Sequence, residues 1–253
     1  MEQAGLQSLV FLLLLIIPLL YLQRFLQREI QAIFLLLTHQ PEISMALFSL
    51  LFLPGVLLHE LSHFFMAHLL GVRTGRFSLI PKKLGGGRLQ LGYVETASTD
   101  FVRDALIGAA PLIAGGIFVA FTGITRLELN ILWENLIQGQ AGPFREALRS
   151  TVSQPDFWLW FYLTFTVSST MMPSTSDRRA WLPLLLVMAF VTALVILIGV
   201  GPWIVTKLGS IIKSALDAVT LIIATTALIH LLLLLPAWLI RKIISRISCY
   251  QVV

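Results

Sequence analysis

Residues 43–70 read ISMALFSLLFLPGVLLHELSHFFMAHLL, and Glu60 is the only Asp, Glu, Lys or Arg among them. Such a run exceeds the roughly 20 residues that a helix needs to cross the hydrocarbon core of a bilayer. Over the whole chain of 253 residues, 57% are hydrophobic and 12% are charged. This is more apolar surface than one soluble core can bury. The sequence therefore predicts an integral membrane protein.

Six apolar stretches are long enough to cross a bilayer, and each is continuous instead of alternating with polar residues. They cover residues 7–23, 43–70, 105–124, 157–176, 180–206 and 215–240. Helices satisfy their own backbone hydrogen bonds in lipid, so continuous runs indicate helices and not barrel strands. The predicted fold class is an all-α integral membrane protein, a bundle of about six transmembrane helices.

The N-terminal part is predicted to be an anchor helix. Its apolar run has no Lys or Arg before it and no small-residue cleavage site after it, so it lacks the marks of a cleaved signal peptide. The next apolar segment, 30–37, is too short to cross a bilayer and is followed by polar residues. We expect it to lie at the membrane interface; an extension of the first helix is the alternative.

The distribution of basic residues predicts the orientation. Six of them lie in the long polar stretch 71–104, namely Arg73, Arg76, Lys82, Lys83, Arg88 and Arg103. Cytoplasmic loops carry an excess of Lys and Arg, so the 71–104 loop should be cytoplasmic in a multi-pass protein of the cell membrane. Both termini then lie inside. Arg24 and Arg28, which follow the first span, oppose this orientation.

The same basic loop has the composition of a small β-hairpin. Residues 77–80 and 88–95 have strand-like composition, and Gly85, Gly86 and Gly87 lie between them. Glycine adopts turn conformations without steric cost. A glycine-rich phosphate cradle is the alternative, but the Lys-Ser/Thr continuation of such a loop is missing. We therefore expect a hairpin.

Two histidines in the 43–70 stretch have the spacing of metal ligands. His59 and His63 are four residues apart, which places them on one face of a helix, one turn from each other. A glutamate beside the first histidine, here Glu60, can take a proton from a water at the metal. The alternative is a polar cluster that holds helices together. Because such groups are costly in lipid, they are functional by default.

The third ligand must come from elsewhere in the chain. Cys249 is the only cysteine, so neither a thiolate cluster nor an intrachain disulfide can form. Asp177 is the best candidate because it follows an apolar span and the helix-breaking Pro173; its alternative role is to cap the next helix. Glu95, Asp100 and Asp104 are further candidates.

The other histidines are not predicted to bind the metal. His68 is nine residues after His59, which turns it to the opposite face of the helix. His39 and His230 are lone histidines in or beside apolar segments. We expect both to be polar residues satisfied by their surroundings.

The chain resembles the site-2 protease family of intramembrane zinc metalloproteases. The resemblance rests on the HELSH sequence, 59–63, within an apolar span, and on four later segments. They are Leu69-Leu70-Gly71-Val72, Phe77-Ser78-Leu79, Ala110-Pro111-Leu112-Ile113-Ala114, and Met171-Met172-Pro173 before Asp177. The family has Asn where this chain has Ala114 and Thr170, and Gly where it has Arg178.

The resemblance implies a site and an activity. Zn²⁺ would be held by His59, His63 and Asp177, with Glu60 as the catalytic base, and the enzyme would hydrolyse peptide bonds in membrane proteins. The resemblance covers about residues 43–180, which would be a three-helix protease core with the hairpin loop. The predicted anchor helix and interfacial segment at 1–42, and two C-terminal spans with a basic tail at 181–253, lie outside it. The hairpin would hold the substrate extended.

Two other classes of function remain open. One is a catalytically inactive, site-2-protease-like membrane module with a binding or regulatory role, which the departures at Ala114 and Thr170 favour. The other is an ion transporter, since intramembrane His and carboxylate groups also line ion paths. The net charge is +5, but no basic stretch is interleaved with aromatic residues, so no nucleic-acid partner is expected. The expected partners are the bilayer and a membrane-protein substrate.

Overall fold

Helices form most of the chain, which a computed structural model describes at residues 2–83, 89–197 and 201–248. The helices in these ranges are α1 Glu2–Thr38, α2 Pro41–Leu69, α3 Phe101–Thr125, α4 Leu129–Ile137, α5 Ala141–Val152, α6 Phe157–Thr170, α7 Trp181–Leu197 and α8 Gly201–Ser248. Four short strands lie between α2 and α3: β1 Thr74–Ser78, β2 Lys82–Lys83, β3 Leu89–Gln90 and β4 Tyr93–Thr96. The predicted helical class with a small strand pair is confirmed at this level.

Three helical segments among the described residues are long and apolar enough to cross a membrane. They are Pro41–Leu69, Phe101–Thr125 and, within α8, Gly209–Ser248. These segments are compatible with a membrane protein, whereas the predicted count of about six spans is not confirmed. α6 is the clearest departure, because its 14 residues extend only about 21 Å at the usual helical rise. Pro173 and the polar residues around it prevent its continuation to residue 176.

The structure continues α1 through the segment 30–37. The segment is therefore not separate from the first helix but extends it, which was the alternative. Residues 24–37 contain neither Gly nor Pro and are rich in strong helix formers such as Leu, Gln and Arg. α1 ends at Thr38 because His39 has a left-handed φ of 54° and Pro41 then begins α2.

The strands form a small antiparallel hairpin. β1 pairs with β4, with Phe77 opposite Val94 and an irregular register between Thr74 and Phe77. β2 pairs with β3, also antiparallel, with Lys82 opposite Gln90. The predicted strands at 77–80 and 88–95 thus fall within the paired region with shifted bounds. The predicted glycine turn at 85–87 lies outside the described residues, as does Cys249.

Two helices, α4 and α5, lie between α3 and α6, where no span is predicted. Glu128, which has a left-handed φ of 48°, is the N-cap of α4. Its carboxylate accepts hydrogen bonds from the Thr151 hydroxyl at 2.9 Å and the Gln154 amide at 3.2 Å. These bonds connect the end of α5 to the turn before α4.

The main core lies between α1, α2, α6 and α8. Its buried side chains include Leu26, Phe52, Phe165 and Ile229. α1 packs mainly against α8, and a partly buried ion pair joins them, in which the Arg241 guanidinium donates to the Glu29 carboxylate.

Glycines let α6 and the turn after it approach α2 and α3 closely. A Cβ atom at Gly55 of α2 would lie 2.3 Å from the Thr166 carbonyl oxygen. A Cβ atom at Gly115 of α3 would lie 2.4 Å from the Cβ atom of Met171. Neither distance is possible between real atoms, so these contacts require glycine. The result is a three-helix unit whose open end carries the site.

Candidate metal centre

His59 and His63 lie on one face of α2, as their spacing predicts. Their Nε2 atoms are 3.2 Å apart, and the rings meet edge to face with centroids 4.9 Å apart. The His63 ring is buried at 8% exposure. Both imidazoles can therefore reach one ion.

Carbonyl groups from two other helices orient the rings. His59 Nδ1 lies 2.7 Å from the Thr170 carbonyl oxygen at the end of α6. His63 Nδ1 lies 2.9 Å from the Ile107 carbonyl oxygen of α3. A carbonyl can only accept, so each Nδ1 carries the proton and donates. In neutral rings both Nε2 atoms then present lone pairs to the same point, the arrangement that metal-binding histidines require.

Asp177 lies beside both rings, in the turn between α6 and α7. Its Oδ1 atom is 3.6 Å from His63 Nε2 and its Oδ2 atom is 3.8 Å from His59 Nε2. The Ser174 amide donates to Oδ2 at 2.7 Å, and the Asp177 amide donates to the Ser174 hydroxyl at 3.3 Å. This closed turn fixes the direction of the carboxylate.

The three side chains form a group that could hold a metal ion, with all ligand atoms within 4.8 Å of one another. Around a tetrahedral zinc with bonds of about 2.0–2.1 Å, ligand atoms are about 3.3–3.4 Å apart. The two Nε2 atoms are 3.2 Å apart, near this value, and each lies slightly farther, at 3.6 or 3.8 Å, from a different oxygen of Asp177. Two imidazoles and a carboxylate suit zinc or a similar transition metal better than magnesium or calcium. The donor set therefore fits zinc.

Glu60 adjoins the group without belonging to it. The side chain is buried, with 6% exposure. Gly92, just before β4, covers it so closely that a Cβ atom there would lie 3.0 Å from Glu60 Oε1. Glu60 lines the same cavity as the two histidines. This is a suitable place for a base that acts on a water molecule and does not bind the metal.

The cavity around the group measures about 860 Å³. Its walls come from α1, α2, the β3–β4 segment, the start of α3 and the turn after α6. This volume lies within the usual range of about 300–1,000 Å³ for ligand sites, so an extended peptide segment can be accommodated beside His59, Glu60 and His63.

Glu95 and Asp100, two of the alternative ligands, make other contacts. Glu95 accepts from the Arg76 amide at 3.2 Å across the hairpin. Asp100 is the N-cap of α3 and accepts from the Val102 and Arg103 amides. The hydrogen bond from the Arg103 amide lowers the pKa of the Asp100 carboxyl. Neither carboxylate belongs to the metal group of the described residues.

Asp104, the remaining alternative, is engaged by an arginine. Arg179 donates to both of its carboxylate oxygens, at 2.8 and 2.9 Å. These hydrogen bonds raise the pKa of the Arg179 guanidinium. Because Arg179 follows Asp177 by two residues, this pair attaches the turn that carries Asp177 to the first turn of α3. Asp104 thus supports the site without belonging to the metal group, although it lines the same cavity.

The other histidines lie apart from the metal group. His68 is exposed, and its Nδ1 atom is 2.9 Å from the Phe64 carbonyl oxygen. His39 lies between α1 and α2. His230 is fully buried in α8, 2.9 Å from the Ser169 hydroxyl and 2.7 Å from the Thr226 carbonyl oxygen.

The groups that support the site were not predicted from the sequence. The last carbonyls of α6 have no partners within the helix, as at any helix end. The Gln23 amide donates to the Ser168 carbonyl at 3.0 Å, and the Gln27 amide to that of Ser169 at 3.2 Å. His59 uses the next carbonyl, that of Thr170. Two glutamines four residues apart in an apolar helix were the available signal.

Gly108 of α3 provides a test of how Asp177 is positioned. A Cβ atom at Gly108 would lie 2.0 Å from the Asp177 carbonyl oxygen, whereas one at Gly116 would meet only Ile222 Cδ1 at 3.5 Å. We expect Gly108→Ala to displace Asp177 and lower zinc affinity by about 10–100-fold, as when a group that orients a ligand is lost. Gly116→Ala should bind zinc normally. Equal affinities, measured by competition with a chelator, would contradict this placement.

Comparisons with protein-family models, with curated proteins and with solved structures gave no match for this chain. The resemblance to the site-2 protease family therefore rests on the sequence motifs. The function must be inferred from the site.

Proposed function

We propose that this chain is an intramembrane zinc metalloprotease, a divergent relative of the site-2 proteases, which hydrolyses peptide bonds in or near membrane-spanning segments. The observation that carries the proposal is the approach of the Asp177 carboxylate to both imidazoles, at 3.6 and 3.8 Å. Asp177 lies far along the chain from His59 and His63. Two imidazoles and a carboxylate that converge beside a glutamate are the protein groups that a zinc-dependent hydrolase needs.

In this mechanism the protein groups have separate tasks. The two imidazoles and Asp177 hold the metal, which when bound supplies Lewis acidity to acidify a water and polarise a carbonyl. Glu60 takes the proton of the attacking water and passes it to the leaving amine. The carbonyls of Thr170 and Ile107 keep the rings in the required tautomer and orientation.

The substrate would bind as an extended strand, because a helix hides its peptide groups in internal hydrogen bonds. β4 lies at the cavity wall, where Tyr93, Val94 and Thr96 line it. β4 pairs with β1 on one side, and the described residues place no strand on its other edge. An extended segment can add to that edge through main-chain hydrogen bonds.

The proposed membrane topology retains about six spans in the cell membrane, with the basic 71–104 loop in the cytoplasm. Three candidate spans support a membrane location. In the proposal α1, α6 and α7 cross as well. The excess of basic residues in the loop supports its orientation.

The proposal is tested by metal analysis and proteolysis with purified full-length protein. We expect about one zinc per chain and cleavage of members of a panel of single-span proteins, abolished by a chelator and restored by zinc. His59→Ala should lose both zinc and cleavage. His68→Ala, which changes an exposed histidine of the same helix, should retain both. Zinc binding without cleavage of any substrate would reject the protease.

An inactive binding module is the second candidate, because Thr170 presents no side-chain amide to the cavity. Its hydroxyl lies 3.0 Å from the Thr166 carbonyl oxygen of its own helix and donates there. If residue 170 must position the substrate by an amide, cleavage is lost although zinc binds. Thr170→Asn would then create or strongly increase proteolysis in the same panel.

A further inference from the structure

α1 presents a polar stripe to the cavity. Arg24, Gln27, Arg28 and Gln31 all line it. Their spacing of three, four and seven residues from Arg24 is that of one helical face. The rest of this part of α1 is mostly apolar. The stripe is therefore directed at the site and is not a generally polar surface.

Contacts between α1 and α6 place this stripe beside the metal group. Gln27 donates to the Ser169 carbonyl at 3.2 Å. The carbonyl of the next residue, Thr170, accepts from His59. Arg24 and Arg28 lie on either side of Gln27 along α1. The Gln27–Ser169 contact is next to Thr170, whose carbonyl accepts from His59, so both arginines lie near the metal group. A long arginine side chain can extend from there toward a bound substrate.

The positive charges of the stripe have no described acidic partner. Asp104 pairs with Arg179, Asp177 lies at the histidines, and Glu60 lies under Gly92. Glu29, the acidic residue next to Arg28, pairs with Arg241 instead. With zinc bound, the charges of Asp177 and Glu60 are balanced. Arg24 and Arg28 then leave the cavity with an excess of positive charge.

We infer that Arg24 and Arg28 bind carboxylate side chains of the substrate, and that the enzyme selects segments with Asp or Glu near the scissile bond. The inference rests on the proposed proteolytic function. Guanidinium groups bind carboxylates through paired, charge-assisted hydrogen bonds. A lipid headgroup is the competing anion, but the stripe faces a cavity that also contains His59 and Glu60.

The test measures binding separately from cleavage. It uses full-length, zinc-loaded Glu60→Gln protein in phosphatidylcholine nanodiscs, with a parallel set of nanodiscs that contain phosphatidylglycerol. Three labelled single-span peptides carry two Asp, two Asn or two Lys residues beside the same central sequence. We expect the Asp peptide to bind about tenfold more tightly, as hydrogen bonds to charged groups allow. Arg24→Gln with Arg28→Gln should remove this preference. Arg24→Glu with Arg28→Glu should transfer it to a Lys peptide.

The matched control is Arg145→Gln with Arg149→Gln. These exposed arginines have the same spacing on α5 and are not among the cavity-lining residues, so the preference should persist. Equal binding of the Asp and Asn peptides, no peptide binding, or an unchanged preference in the Arg24/Arg28 variant would overturn the inference. Loss of phosphatidylglycerol binding with an unchanged peptide preference would assign the arginines to lipid. If the Asp peptide binds more tightly as expected but the protein with its native Glu60 cleaves no substrate, only the proposed proteolytic function is overturned.

Discussion

We expect Glu60→Gln to lower the rate of proteolysis by about 10²–10⁴-fold, the usual contribution of a general base, while zinc stays bound. Glutamine keeps the shape of the side chain but cannot take a proton. Glu60 lies outside the group of ligand atoms, so the change should leave metal content intact. The measurement is the single-turnover cleavage rate of a fixed substrate, with zinc content determined on the same preparation.

Glu134→Gln is a suitable control for this experiment, because Glu134 is an exposed residue of α4 away from the cavity. It should cleave at the normal rate. Near-normal cleavage by Glu60→Gln would remove Glu60 from the mechanism. Loss of zinc together with activity would mean that Glu60 binds the metal or that its replacement disturbs the ligands.

Asp177→Ala should cause the largest loss of zinc after the histidine variants. Two imidazoles alone leave the ion short of the three protein ligands usual in catalytic zinc sites. The loss of affinity should exceed the about 10–100-fold typical when a group that only orients a ligand is removed. Asp104→Ala, which releases Arg179, should fall within that smaller range. Both are measured as zinc retained against a series of chelator concentrations.

The comparison between these two aspartates is decisive because Asp177 lies in the turn after α6 and Asp104 binds Arg179 of the same turn. Full retention of zinc in Asp177→Ala, with loss in Asp104→Ala, would overturn the assignment of the third ligand. A similar loss in both would indicate that the Asp104–Arg179 pair holds the turn more strongly than the Ser174 contacts do.

The local parts of the site could be predicted from the sequence. Four-residue spacing fixes His59 and His63 on one helical face whatever surrounds them, and Glu60 follows from its place beside His59. The carbonyls of Thr170 and Ile107 could not be predicted in this way. Every residue has such a group, and only the packing of α6 and α3 on α2 selects these two.

The helical class of the fold could be predicted from the sequence, but the ends of several helices could not. Hydropathy indicates that a segment prefers an apolar environment, and it marks helix ends only where a breaker intervenes. The apolar pattern in 157–176 thus hid the end of α6 at Thr170. Conversely, polar residues at Arg24 and Arg28 suggested an end of α1 that does not exist, because they face a cavity. Pro41 gave the true boundary.

The shortness of α6 has a consequence for the lipid around the site. A helix of 14 residues covers about 21 Å, whereas a typical hydrocarbon core is about 30 Å thick. If α6 crosses the bilayer, the acyl chains beside it must compress or tilt to match it. A substrate helix approaching α6 would then be longer than the local membrane, and its end would emerge into headgroups and water. There it could unwind at little cost, so the thickness of the host membrane would itself regulate cleavage.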